Sequence, residues 1–164
     1  MAYYGIYTGQ ERITTSVQLA EAIVQLQSED DVNARRNASV AFLYIRKHSE
    51  VGFQAAASAL LDRIISDPDV YVVSNCIEAF RMANGNVRLS DEVLAVIERV
   101  AVEKDRAGDE KGWARERAQE TLVDVIFEHK DMAAKQRAAK ALGDACEHNI
   151  GLGEEAVRAL RKVN

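Results

Sequence analysis

The sequence predicts an all-α domain built from repeated helix pairs, and three observations carry that expectation. Alanine is abundant, while the chain of 164 residues holds only 9 glycines and 1 proline. Alanine is the best helix former, so this balance favours long helices over turns. No segment alternates apolar and polar residues for the length of a strand. The chain also matches itself at a shift of 38 residues, a period typical of stacked supersecondary units.

The elements follow in order. Gly, Asn, Asp and Ser cluster near 28–31, 48–52, 66–69, 84–90, 105–112, 129–131 and 149–153. These clusters bound helical segments at about 15–28, 32–48, 51–66, 69–84, 91–104, 112–129, 132–148 and 154–162. In the first, Leu19, Ile23 and Leu26 share a face. In the second, Ala34, Ala38, Ala41, Phe42 and Ile45 form the stripe i, i+4, i+7, i+8, i+11 of one helix face. The third repeats the first with Ala57, Leu61 and Ile64. The fourth repeats the second, with "DVYVVSNCIEAFR" lying over "DVNARRNASVAFL" and its stripe at Val72, Cys76, Ala79, Phe80 and Ala83. Asp67 is placed to cap this helix, Pro68 to occupy its first position and Asp69 to complement its positive end.

Val93, Ile97 and Val100 carry the fifth segment, and a further shift of 42 residues gives the sixth its stripe at Ala114, Ala118, Thr121, Leu122 and Val125. The linker between them, around Glu103–Gly108, is the longest of the turns inside a pair. The seventh carries the stripe at Ala134, Ala138, Ala141, Leu142 and Ala145, only 20 residues after the sixth. With the short eighth helix, polar around Ala156, Val157 and Leu160, it is read as a fourth pair that closes the stack with a soluble end. Short loops make successive helices antiparallel neighbours.

These patterns resemble the HEAT-like repeat family of α-solenoids. Asp67-Pro68 resembles the family's turn. Arg35 with Ala38, Ala41 and Phe42, and Arg115 with Ala118, Thr121 and Leu122, resemble the opening of its second helix, whereas Val73 stands where a basic residue is expected. The resemblance implies a right-handed α-solenoid of about four antiparallel helix pairs, at approximately 15–48, 51–84, 91–129 and 132–162, forming one domain over 1–164. It also implies use as a binding scaffold.

Charge and cysteine content bound the function. A net charge of −5 and a pI near 5.3 give no global attraction for nucleic acid or an anionic membrane. Cys76 and Cys146 form no CxxC pair, so neither a disulfide framework nor a zinc site is expected, and the setting is read as reducing and cytoplasmic. No apolar run approaches a membrane span, and the N-terminal MAYYGIYTGQERITT lacks the pattern of a secretion signal. The tyrosines Tyr3, Tyr4 and Tyr7 in that stretch are read as a cap on the first pair, with partner contact as the alternative.

No nucleotide-binding, nucleophile-elbow or metalloprotease motif occurs. His48, His129 and His148 fall at predicted helix ends, where they complement the dipole; no metal and no cofactor is expected. The basic residues Arg35, Arg36, Lys111, Arg115, Arg117, Lys135, Arg137 and Lys140 are read first as ion-pair partners of the turn residues Asp31, Asp69, Asp109 and Asp131. The function expected is non-enzymatic protein–protein interaction by a small adaptor, inhibitor or regulatory scaffold. Its surface would be the concave face of the second helices, at Arg36, Asn37, Tyr44, Ser74, Asn75, Arg81 and Arg117. One alternative is a HEAT-like enzyme, a nucleic-acid glycosylase or pigment lyase, using a carboxylate such as Glu78 or Glu120 beside an aromatic. Another is a homodimer whose faces bury each other.

Overall fold

A computed structural model describes residues 13, 15–43, 50–83, 90–148 and 150–163, the side chains of 50–52, 83 and 163 excepted. Among the described residues there are eight helices and no strand. They are α1 (Ser16–Leu26), α2 (Val32–Phe42), α3 (Glu50–Ser66), α4 (Val70–Ala83), α5 (Asp91–Ala101), α6 (Trp113–Glu128), α7 (Met132–Glu147) and α8 (Glu154–Val163). None of them is long and apolar enough to cross a membrane.

Side-chain caps start several of these helices by satisfying the first free N–H groups. Thr15 and Gln18 form a reciprocal capping box at α1. Asp31 accepts from Asn33 and Ala34 N–H at α2, Ser90 from Val93 N–H at α5, and Asp131 from Ala133 N–H at α7. At α6 the backbone enters through Gly112, whose φ of +71° is left-handed and costs glycine little. Asp109 reaches past it to accept from Trp113 N–H at 2.6 Å and Ala114 N–H at 3.0 Å.

The start of α4 corrects the sequence expectation. Asp69 is the cap, its Oδ1 accepting from Tyr71 and Val72 N–H at 3.1 Å each. Asp67 lies two residues earlier, buried, and accepts from Asp69 N–H at 2.9 Å. Pro68 therefore sits in the turn rather than in the first helical position. The offset has a physical cause: Asp67 is held away from the helix by Arg35, whose Nε donates to it at 2.8 Å.

Helices contact their chain neighbours in the order α1 with α2, α3 with α4, α5 with α6 and α7 with α8. Each also packs against the next but one: α1 on α3, α3 on α5, α5 on α7, and α2 on α4, α4 on α6, α6 on α8. A further contact joins α6 and α7. The repeated stripes face this core. Ala38, Cys76, Ala118 and Ala138 are fully buried, as are Phe42, Phe80, Leu122 and Leu142, so small residues set helix spacing while large ones fill the layer between them. Phe53 of α3 meets Phe80 of α4 edge to face at 5.4 Å.

Burial is graded along the chain. Val72 and Ala114 are fully buried, whereas their counterpart Ala34 in α2 is half-buried, since α2 packs on α1 and α4 while α4 also packs on α6. The long linker before α6 is tied back to the preceding turn. Arg106 donates to Ile64 O at 2.8 Å and pairs with Glu103 at 3.0 Å, and a Cβ on Gly108 would stand 3.3 Å from Pro68 O.

Candidate functional site

Offsets of 38 and 42 residues place equivalent side chains of α2, α4 and α6 beside one another. Asn33, Tyr71 and Trp113 share a register, as do Asn37, Asn75 and Arg117, then Val40, Glu78 and Glu120. These positions lie 3 or 4 residues apart along each helix, on a face beside the buried stripe.

At the N-terminal end of this face, the rings of Tyr71 and Trp113 meet with centroids 5.2 Å apart and planes tilted by 58°. They are 50% and 36% exposed. The Arg36 guanidinium lies over Tyr71 at 5.2 Å, and the Lys111 ammonium over Trp113 at 5.0 Å. A row of cation, two aromatics and cation thus crosses the starts of α2, α4 and α6. Arg36 also pairs with Asp69 Oδ2, so this one carboxylate caps α4 and orients the arginine.

Further along, Asn75 donates to Ser39 Oγ at 3.1 Å, and that hydroxyl donates to Arg36 O at 2.8 Å. Ser74 is half-buried, with its Oγ closed to solvent and unpartnered among the described residues. Asn37 is exposed. Tyr44 lies outside the described residues, as do Tyr3, Tyr4, Tyr7 and His48.

Arg81 and Arg117 meet in one network. Arg81 pairs with Asp124 at 2.6 Å, Glu120 at 2.9 Å and Glu78 at 3.5 Å. Arg117 pairs with Glu120 at 2.6 Å and Glu78 at 3.3 Å. Partial burial alone would lower the pKa of Arg81, but the bond to Asp124 and the charges of Asp124, Glu78 and Glu120 outweigh it and raise it above its ordinary value. Glu78 and Glu120, the carboxylates considered for catalysis, are thus held by arginines on α4 and α6.

The turn aspartates expected as ion-pair partners serve as helix caps. Asp31, Asp109 and Asp131 cap helices. Asp69 pairs as expected with Arg36, while Arg35 pairs with Asp67, and Arg137 with Asp91 and Glu98 at 3.1 Å each. The histidines differ from one another. The Nδ1 of His148 lies 2.7 Å from Asp144 O in the last turn of α7, a helix-end role. That of His129 instead accepts from Asp131 N–H at 3.1 Å, serving the turn into α7. No group of three or more metal-ligating side chains occurs among the described residues.

Sequence reasoning passed over the Tyr71–Trp113 ring contact. The signal was present, because the 42-residue offset that aligns Cys76 with Ala118 also aligns Tyr71 with Trp113. Compared with known proteins, the chain matches no family model, no curated protein and no solved structure.

Proposed function

We propose that this chain is a HEAT-like α-solenoid of about four antiparallel helix pairs, acting as a non-enzymatic protein–protein interaction module through its α2–α4–α6 face. The observation that carries the reading is the exposed Tyr71–Trp113 ring pair between Arg36 and Lys111. Trp, Tyr and Arg dominate the binding energy of protein interfaces, and Tyr and Trp, with two χ angles each, lose little freedom when a partner covers them. Lys111 has no carboxylate partner among the described residues, so it remains to meet one on the partner. The alternation of direct contacts between neighbouring and next-but-one helices supports the stacked-pair arrangement. Two free thiols, one of them exposed, suit a reducing, cytoplasmic setting.

The enzymatic alternative is less well supported. It needs a carboxylate beside an aromatic in a pocket, and Glu78 and Glu120 are committed to Arg81 and Arg117. Affinity capture tests the proposal, comparing wild type with Tyr71→Ala/Trp113→Ala. Both side chains are substantially exposed, so the variant is expected to keep its melting temperature within a few degrees while recovery of specific partners falls at least about tenfold. Equal recovery by both forms overturns the reading.

A further inference from the structure

A groove of about 800 Å³ lies between α5 and α7, in the odd-numbered helices and away from the α2–α4–α6 face. Its volume falls in the range of small-molecule sites. Val102 and Ala141 contribute apolar wall, and Ile150 closes the end of α7 through its N–H bond to Ala145 O at 2.9 Å.

The charges set this groove apart from the rest of the chain. Arg99, Lys104, Arg137 and Lys140 line it, against the carboxylates of Glu98 and Asp144. This is an excess of positive charge in a chain whose net charge is −5. Arg137 is engaged by Glu98 and by the exposed Asp91, and Lys140 by Asp144 at 2.6 Å. Arg99 and Lys104 have no ion-pair partner among the described residues. Arg99 stands in the last turn of α5, where the helix dipole accounts for a cation. The dipole does not account for Lys104 beyond the helix, nor for two α7 cations turned into the same groove. Concave walls of low dielectric focus such a field on an anion.

We propose that the α5–α7 groove binds a small molecule carrying two or more oxyanion groups. One anionic group meets Arg99 and Lys104. A second meets Arg137 and Lys140, displacing their contacts with Asp91 and Asp144. Guanidinium and ammonium groups recognise phosphate and carboxylate alike, so the shared chemistry is the paired oxyanion. The inference goes beyond the proposed interaction face and does not depend on it.

Calorimetric titration of the full chain at low ionic strength tests it, with pyrophosphate and citrate as separate probes. Saturable one-site binding of either supports the proposal, and the stronger probe distinguishes a phosphate ligand from a carboxylate one. Arg99→Ser/Lys104→Ser is expected to weaken that binding at least about tenfold, the effect of losing charge-assisted hydrogen bonds. Its melting temperature should stay within a few degrees of wild type, since neither residue has an ion-pair partner among the described residues. Tyr71→Ala/Trp113→Ala should bind the probe like wild type, which separates this site from the α2–α4–α6 face. Absence of saturable binding by both probes, or binding by the double serine variant within twofold of wild type, overturns the proposal.

Discussion

Two arginine–carboxylate clusters in this protein use the same chemistry at different depths. Arg35 and Asp67 join α2 to the turn before α4, with side chains 5% and 0% exposed. Arg35 also donates to Ser28 O at 3.0 Å and Glu29 O at 2.8 Å, and Arg63 approaches Asp67 at 3.7 Å. The Arg81–Arg117 network on α4 and α6 has more ion pairs, but its members are 21–38% exposed. Depth, not the number of contacts, decides what each cluster is worth. A buried charge that loses its partner has no water to replace it; a half-exposed one does.

Breaking the buried pair has the largest expected effect. Asp67→Ala leaves the buried Arg35 without its carboxylate and Arg63 with Glu29 alone, and should cost ~3–5 kcal/mol in urea unfolding. A loss below ~1 kcal/mol would place this pair with the surface ones.

A reactivity measurement sharpens the same contrast. Burial first, and then the charge of Asp67, push the Cys76 thiol well above its ordinary pKa, with Arg63 opposing. Under native conditions a thiol reagent should modify the exposed Cys146 and leave Cys76 untouched. In Asp67→Ala, Cys76 labelling should accelerate by at least about a hundredfold, the same destabilisation read as a population of opened molecules. Equal labelling of both thiols in wild type would contradict the burial of Cys76.

The smallest effect is expected in the exposed network. Glu120→Gln should change stability by less than ~1 kcal/mol, and the difference should shrink as salt is raised. A change of several kcal/mol that persists at high salt would show that this network behaves as a buried one.

Much of the fold was legible because helix signals are local. The stripe at Val72, Cys76, Ala79 and Phe80 reads as one buried face from spacing alone. Asp31 and Asp131, read from the sequence as ion-pair partners, cap α2 and α7. Asp67 was misread for the same reason: local pattern offered it as a cap, and nothing within the turn reveals an arginine 32 residues earlier in the chain. The candidate face was partly legible too. Arg36, Asn75, Arg81 and Arg117 follow from helical register, and the structure links Arg81 with Arg117 through Glu78 and Glu120.

By itself, then, the sequence determined the all-α class, where the helices lie and which stripe each one buries. These depend on contacts three to eight residues apart, which a helix fixes without outside help. Only the tertiary structure decided which carboxylate each arginine meets, that the rings of Tyr71 and Trp113 meet, and that cations from α5 and α7 line one groove. Those outcomes join residues some 32 to 46 positions apart. They depend on how far one helix is displaced against the next, which no single helix carries in its own pattern.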